Sequence, residues 1–283
     1  MLKPIALSRA HAETSSVAES LPVLTDLLGF ERVPDGGSPM LLRHPASEWE
    51  LVLNERVGAP PKAHHDHYGV RVATNDEIRA AYAYLAAHQD EYGLTELLAP
   101  EYSHGALSVY FREPGGNVWE IECFEDVLRN PEKGGGTRLG GVRAPHWTDA
   151  PDSQPINSRG YIPRAFTHGT LACADEEVSG RFYADVLGLE VIRAYKHVVY
   201  IKHPDSKHYV VCLARPVGLN PFSANFRYTL TLDSPASVEA AHAELTAQAS
   251  NLSIQEVGAV ETGAGPASFL LRDLDGNYWE VNS

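Results

Sequence analysis

The chain has 283 residues, 43% of them hydrophobic and 21% charged, with a formal charge of −14. That balance belongs to a soluble globular protein long enough for two domains, each with its own core. The negative charge argues against nucleic acid or an anionic membrane as partner, because both would repel it, and leaves a small molecule as the expected ligand.

No apolar run approaches the roughly 20 residues of a membrane helix. Met1-Leu2-Lys3-Pro4-Ile5 lacks the apolar core of a secretion signal, so the expected location is cytoplasmic. Cys123, Cys173 and Cys212 are isolated from one another in apolar, strand-like contexts. They read as small core residues rather than as metal ligands or nucleophiles.

In chain order, residues 1–13 alternate as a strand, and Thr14-Ser15-Ser16 offers capping side chains to a helix that ends near Gly29. Two short strands follow, over 39–44 and 49–53. After a proline-containing link, His64-His65-Asp66-His67-Tyr68-Gly69-Val70-Arg71-Val72 alternates again and leads into an alanine-rich helix over 75–88.

Residues 104–122 then form a hairpin. Two apolar-rich runs flank Glu113-Pro114-Gly115-Gly116-Asn117, a cluster of turn residues. With the turn centred near Gly115, Tyr110 falls opposite Glu120. In an unbroken strand His104 and Tyr110 share its face.

Residues 126–164 change character, with Gly134-Gly135-Gly136, Gly140-Gly141 and five prolines, and read as an interdomain connection. Beyond it the pattern restarts. Leu187-Gly188-Leu189-Glu190 repeats Leu28-Gly29-Phe30-Glu31, and His203-Pro204-Asp205-Ser206 repeats His44-Pro45-Ala46-Ser47, both at an offset of 159. Asn277-Tyr278-Trp279-Glu280 repeats Asn117-Val118-Trp119-Glu120 at an offset of 160. Matches at nearly one spacing mark an internal duplication. Each copy holds the strand-helix-strands unit twice, so the expected fold is α+β with four βαβββ units. The domains are 1–125 and 165–283, joined by the 126–164 linker.

This layout resembles the vicinal oxygen chelate superfamily, the group of glyoxalases, bleomycin-resistance proteins and extradiol dioxygenases. It is similar in particular to the two-domain type I extradiol ring-cleaving enzymes. The resemblance covers about residues 1–125 and 165–283. Its most specific part is the histidine, tyrosine, acid-Pro-x-Gly and glutamate series of the hairpin, although the interval from His104 to Tyr110 is shorter than in that family's signature.

The resemblance implies cups built from paired units, with metal ligands from the first strand of one unit and the first and last strands of its partner. It makes Glu120 the carboxylate ligand and His67 a histidine ligand, with His11 as the third. The gap-free equivalent of His168 is Arg9, which cannot ligate, and His11 lies two residues along on the same face. The implied metal is Fe(II), with Mn(II) or another divalent ion as the alternative, because two histidines and one carboxylate leave three positions open.

His104 would then act as acid-base or hydrogen-bond donor, and Tyr110 would hold a substrate oxygen. The implied partners are a small aromatic diol and dioxygen, with neither nucleic acid nor membrane. Relatives commonly assemble through these domains, so a homo-oligomer is compatible with the reading.

Two alternatives stand beside it: a glyoxalase-like lyase or epimerase with a fourth ligand such as Glu50, and a metal-free binding or resistance protein. In the second domain the positions matching His67, His104 and Tyr110 are Arg227, Ala264 and Leu270. That domain reads as mainly structural, with Glu280 an exposed remnant. A different pairing, second unit with third, would instead join His168 to His67 and Glu120 and bring His208, His104 and Tyr110 around them. The short links within each half favour the ordinary pairing of neighbouring units.

Overall fold

The computed structural model describes residues 1–34, 39–47, 49–129, 159–215, 219, 222–262 and 265–283. Most of the expected linker, 130–158, lies outside them. Four βαβββ modules follow one another, as expected. The first is β1 (Ala6–Thr14), α1 (Val17–Pro22, continued by a π-helical turn over Val23–Leu27), β2 (Glu31–Arg32), β3 (Met40–Arg43) and β4 (Glu50–Glu55). The second is β5 (His67–Arg71), α2 (Asn75–Ala87), β6 (Glu101–Ser103), β7 (Ala106–Arg112) and β8 (Val118–Cys123), trailed by the short α3 (Glu125–Arg129).

The third module is β9 (Ala165–Cys173), α4 (Glu176–Asp185), β10 (Glu190–Tyr195), β11 (Val198–Lys202) and β12 (Tyr209–Ala214). The fourth is β13 (Arg227–Thr231), α5 (Pro235–Gln248), β14 (Glu256–Val257), β15 (Ser268–Arg272) and β16 (Tyr278–Asn282).

The helices start where the sequence places their caps. Ser16 accepts from the Glu19 amide, and Thr74 and Glu77 form a reciprocal capping box. Gly29 follows the first helical segment with φ +76°, a conformation that glycine adopts without strain. All three cysteines are buried and free. Among the described residues no helix is long and apolar enough to cross a membrane.

The compact units are Glu13–Gly169, and Met1–Ala12 together with Thr170–Ser283. They do not coincide with the sequence halves 1–125 and 165–283, because first strands are exchanged. In the first unit β5 runs parallel to β8 and antiparallel to β9, the opening strand of the third module. In the other, β13 runs parallel to β16 and antiparallel to β1, through residues 6–11 of the first module. The expected pairing of adjacent modules is thus corrected: second pairs with third, and first with fourth. Each ladder is satisfied as well by the distant strand as it would have been by the near one, so short links do not settle the choice.

Within Glu13–Gly169 the strand order is β6-β7-β8-β5-β9. One face of these strands packs an aromatic core. Phe166 stacks on Trp49 with ring centroids 4.6 Å apart, and Trp119 meets Phe30 and Tyr68 edge-on or tilted at 5.6 and 5.4 Å. Pleating sends the alternate residues to the opposite face. That face carries His67, Gly69 and Arg71 of β5 and Glu120 and Glu122 of β8.

Candidate metal centre

Tyr110 pairs directly with Glu120 across the β7–β8 hairpin, the register expected from its turn. The buried Glu113 carboxylate holds that turn. It accepts from the Asn117 amide and side chain at 3.0 and 2.7 Å and from the Ser20 hydroxyl at 2.8 Å. Parallel pairing then places Glu120 opposite Gly69, and antiparallel pairing places His168 opposite the same glycine.

Gly69 is what admits the third group. A Cβ there would stand 2.0 Å from His168 Cε1 and 2.4 Å from its Nδ1, so the imidazole occupies space that any side chain at 69 would take.

Ligating atoms of His67, Glu120 and His168 lie within 4.8 Å of one another. Nε2 of His168 is 3.1 Å and Nε2 of His67 3.3 Å from Glu120 Oε2. The far ring nitrogens are tied elsewhere, His67 Nδ1 to the His64 carbonyl at 3.0 Å and His168 Nδ1 to Thr167 Oγ1 at 3.1 Å. Both rings therefore present Nε2 to one point. Glu120 Oε2 is buried there and accepts no hydrogen bond of normal geometry, despite two nitrogens so close. A buried carboxylate oxygen without a well-formed hydrogen bond is costly, and with the two imidazole nitrogens that face it this carboxylate makes the donor set of a divalent transition-metal site. The residues fit a metal ion.

Glu120 Oε1 has a separate job. It accepts from the Tyr110 hydroxyl at 2.6 Å and lies 3.3 Å from His104 Nε2, which is itself 3.2 Å from the Tyr110 hydroxyl. His104 gets there by a route the strand parity did not contain. It sits in the β6–β7 turn, with φ +40° followed by +87° at Gly105, the two positive values of a type I′ hairpin. The strand breaks at 104, and the turn returns the ring to the same group.

Burial alone would push Glu120 up, but the surrounding His104, His168 and His67 hold it well below the usual carboxylate range. Burial opposes charge on His168 as well, yet Glu122 and Glu120 raise it to about 9. Tyr110 is driven far upward, first by burial and then by the Glu120 charge, and stays a phenol that donates.

His11 does not join this group. It lies in the other compact unit, with Nε2 2.8 Å from Thr229 Oγ1 and 3.1 Å from Glu280 Oε2. A bulge could have carried His11 into line, but the bulge that is present falls at the same place in both halves. The register slips at Ser8 between Leu7 and Arg9, and at Thr167 between Phe166 and His168, so Arg9 remains the counterpart of His168.

Glu280 is not an exposed remnant. It is engaged by His11, by the Thr229 hydroxyl at 2.8 Å and by Arg227 at 3.5 Å. His208 is buried beside the Leu7 carbonyl, also in that unit. Glu50 lies on β4 and is not among the clustered ligands.

Sequence reasoning missed Gly69, Arg71, Glu122 and Thr167. Arg71 and Glu122 were legible in principle, since each lies two residues along its strand from a residue of the site face.

The family model of the Glyoxalase/Bleomycin resistance protein/Dioxygenase superfamily matches residues 9–121. Residues 9–121 belong to this superfamily. Among solved structures, the chain is similar to a candidate dioxygenase from Bacillus subtilis, with TM-score 0.63 and 12% identity over 100% of this chain and 86% of that one. It is also similar to glyoxalase I from Zea mays, with TM-score 0.63 and 14% identity over 99% of this chain and 92% of that one. At such identities the likeness shows the fold alone. No curated protein sequence matches. The likeness in fold extends over the whole chain, while the family model covers residues 9–121.

Proposed function

We propose that the protein is a metal-dependent dioxygenase of the glyoxalase superfamily, opening the ring of a catecholic or hydroquinone-like aromatic diol with dioxygen. His67, His168 and Glu120 hold the ion, Fe(II) in the first instance and Mn(II) or another divalent ion as the alternative. The observation that carries this reading is the convergence of His67 Nε2 and His168 Nε2 on Oε2 of Glu120, a buried oxygen that accepts no hydrogen bond of normal geometry. His168 takes the place that the resemblance gave to His11.

Two imidazoles and one carboxylate leave three coordination positions open, room for both oxygens of a chelating diol and for dioxygen. When bound, such an ion supplies Lewis acidity and access to oxygen chemistry. A fourth protein ligand would favour a glyoxalase-like lyase or epimerase instead, and among the described residues the cluster has three.

The remaining steps belong to side chains. Tyr110 keeps its proton and donates, now to Glu120 Oε1 and in the complex to a substrate oxygen. His104, whose burial disfavours charge but whose position beside Glu120 raises it overall, can take a proton from a substrate hydroxyl and return it during ring opening.

The test is anaerobic loading with Fe(II), then oxygen uptake on a panel of catechols and hydroquinones. Stoichiometric uptake with ring-opened product is expected, and Tyr110→Phe should slow it by about 100-fold, the usual scale for one lost donor. No uptake with any diol by the metal-loaded protein would refute the dioxygenase assignment.

A further inference from the structure

Behind His168 the front unit buries a charged cluster that ring cleavage itself does not use. Glu122 Oε1 accepts from Arg71 Nη2 at 2.6 Å and Nε at 3.1 Å and from the Thr167 hydroxyl at 2.9 Å, and lies 3.5 Å from His168 Nδ1. Thr167 Oγ1 also lies 3.2 Å from the Gly69 carbonyl and 3.1 Å from His168 Nδ1. Consecutive side chains of a regular strand point to opposite faces. The bulge at Thr167 lets Thr167 and His168 reach Glu122 together.

The charges of this cluster favour one arrangement of its hydrogens. Arg71 only donates, and the carboxylate beside it only accepts. The Thr167 hydroxyl hydrogen has the Glu122 carboxylate and the Gly69 carbonyl as oxygen acceptors, and the charged carboxylate is the stronger of them. The hydroxyl lone pair is then left for a hydrogen on His168 Nδ1. A neutral His168 ring is thereby favoured with Nδ1 protonated and Nε2 bare, facing Glu120 Oε2.

The fold does not require this arrangement. The counterparts of Arg71, Glu122 and Thr167 are Thr231, Asn282 and Ser8, a neutral set in which Ser8 Oγ and Thr231 Oγ1 lie 2.8 Å apart and Thr231 donates to Asn282 at 2.8 Å. The same ladder positions are filled there without charge, and a metal triad is absent among the described residues of that unit. A buried ion pair is a poor way to gain stability alone.

We propose that Thr167 and Glu122, anchored by Arg71, are positioning residues that set the tautomer and aim of His168 and so tune metal affinity. The proposal rests on the metal reading of the triad. It adds residues that touch neither ion nor substrate.

The measurement is Co(II) titration of the metal-free full-length protein, followed by visible absorption, with thermal unfolding as a fold control. Thr167→Val keeps the side-chain shape and removes the relay. It should weaken Co(II) binding by about 10- to 100-fold, the usual scale for outer-sphere partners of a ligating histidine. Thr167→Ser should restore affinity, and Thr231→Val at the other ladder should leave it unchanged.

Nitrogen-15 shifts of the His168 ring in the metal-free protein, read above pH 9 where the ring is neutral, should report Nδ1–H in the parent and a mixture of tautomers in Thr167→Val. Unchanged affinity and unchanged shifts in a folded Thr167→Val protein would overturn the positioning role while leaving the metal site standing. A parent that takes up no Co(II) would remove both, whereas absence of oxygen uptake alone bears only on the dioxygenase reading.

Discussion

The two compact units lay out the same ladder with different chemistry. Gly69 faces Glu120 and His168 in one, and Thr229 faces Glu280 and Arg9 in the other. Where the first has His67, the second has Arg227, whose guanidinium already neutralises Glu280 from 3.5 Å. Where the first has room for a ring over a glycine, the second has a threonine hydroxyl donating to the glutamate.

The carboxylate alone is common to both faces, and where two imidazoles reach it a buried oxygen is left without a hydrogen bond. The difference teaches that the strand ladder is indifferent to the site. The chemistry comes from a few side chains on one copy, and one of them is a missing side chain.

The strongest way to break this comparison is to make Gly69 resemble its counterpart. In Gly69→Ala the new Cβ meets the His168 ring at 2.0 Å, far inside contact distance, and His168 is already held from behind. Overpacking of this kind costs about 1–3 kcal/mol. Swinging the ring away is the cheaper relaxation, so the expected outcome is a folded protein that has lost metal binding by about 100-fold or more, a ligand counting for at least as much as its outer-sphere partners. Calorimetric titration reads the first and thermal unfolding the second.

A smaller effect is expected from pH. In the metal-free protein Glu122 and Glu120 outweigh burial and raise His168 to about 9. Metal must displace that proton, so affinity should rise from pH 6 toward 9 and level off above it, with about one proton released per ion at neutral pH. Buffers of different ionisation enthalpy measure the release. His11 and His208 of the other unit, which join no metal-type cluster among the described residues, should leave this slope unchanged when replaced.

The smallest effect concerns stability. Burial lowers His208 to about 3 and His44 to about 4. A histidine whose folded pKa lies below its unfolded value binds fewer protons folded than unfolded. Stability is therefore complete above about pH 6.5 and is lost as pH falls toward those lower values. Chemical denaturation at pH 7 and 5 should show a loss on the order of a few kcal/mol, reduced in a folded His208→Gln protein.

What was legible in the sequence was local or repeated. The Tyr110–Glu120 pair followed from a turn of Glu, Pro, Gly, Gly and Asn, because hairpin register depends on a handful of adjacent residues. The repeat at 159–160 ran deep enough to include the bulges at Ser8 and Thr167, although only the structure exposed them.

The partner of each module was not legible. Hydrogen bonding rewards any first strand that completes the ladder, and nothing within β5 says whether β1 or β9 will lie beside it. That one choice puts His168, and not His11, beside His67 and Glu120. Gly69 was opaque for the same reason, since its purpose depends on a ring a hundred residues away.

Metal titration of three proteins side by side tests the exchanged pairing at the centre of this account. The parent is expected to bind one equivalent of Fe(II) or Co(II), His11→Ala to bind it equally well, and His168→Ala to bind none at the same concentrations. Loss of binding in His11→Ala with full binding in His168→Ala would contradict it.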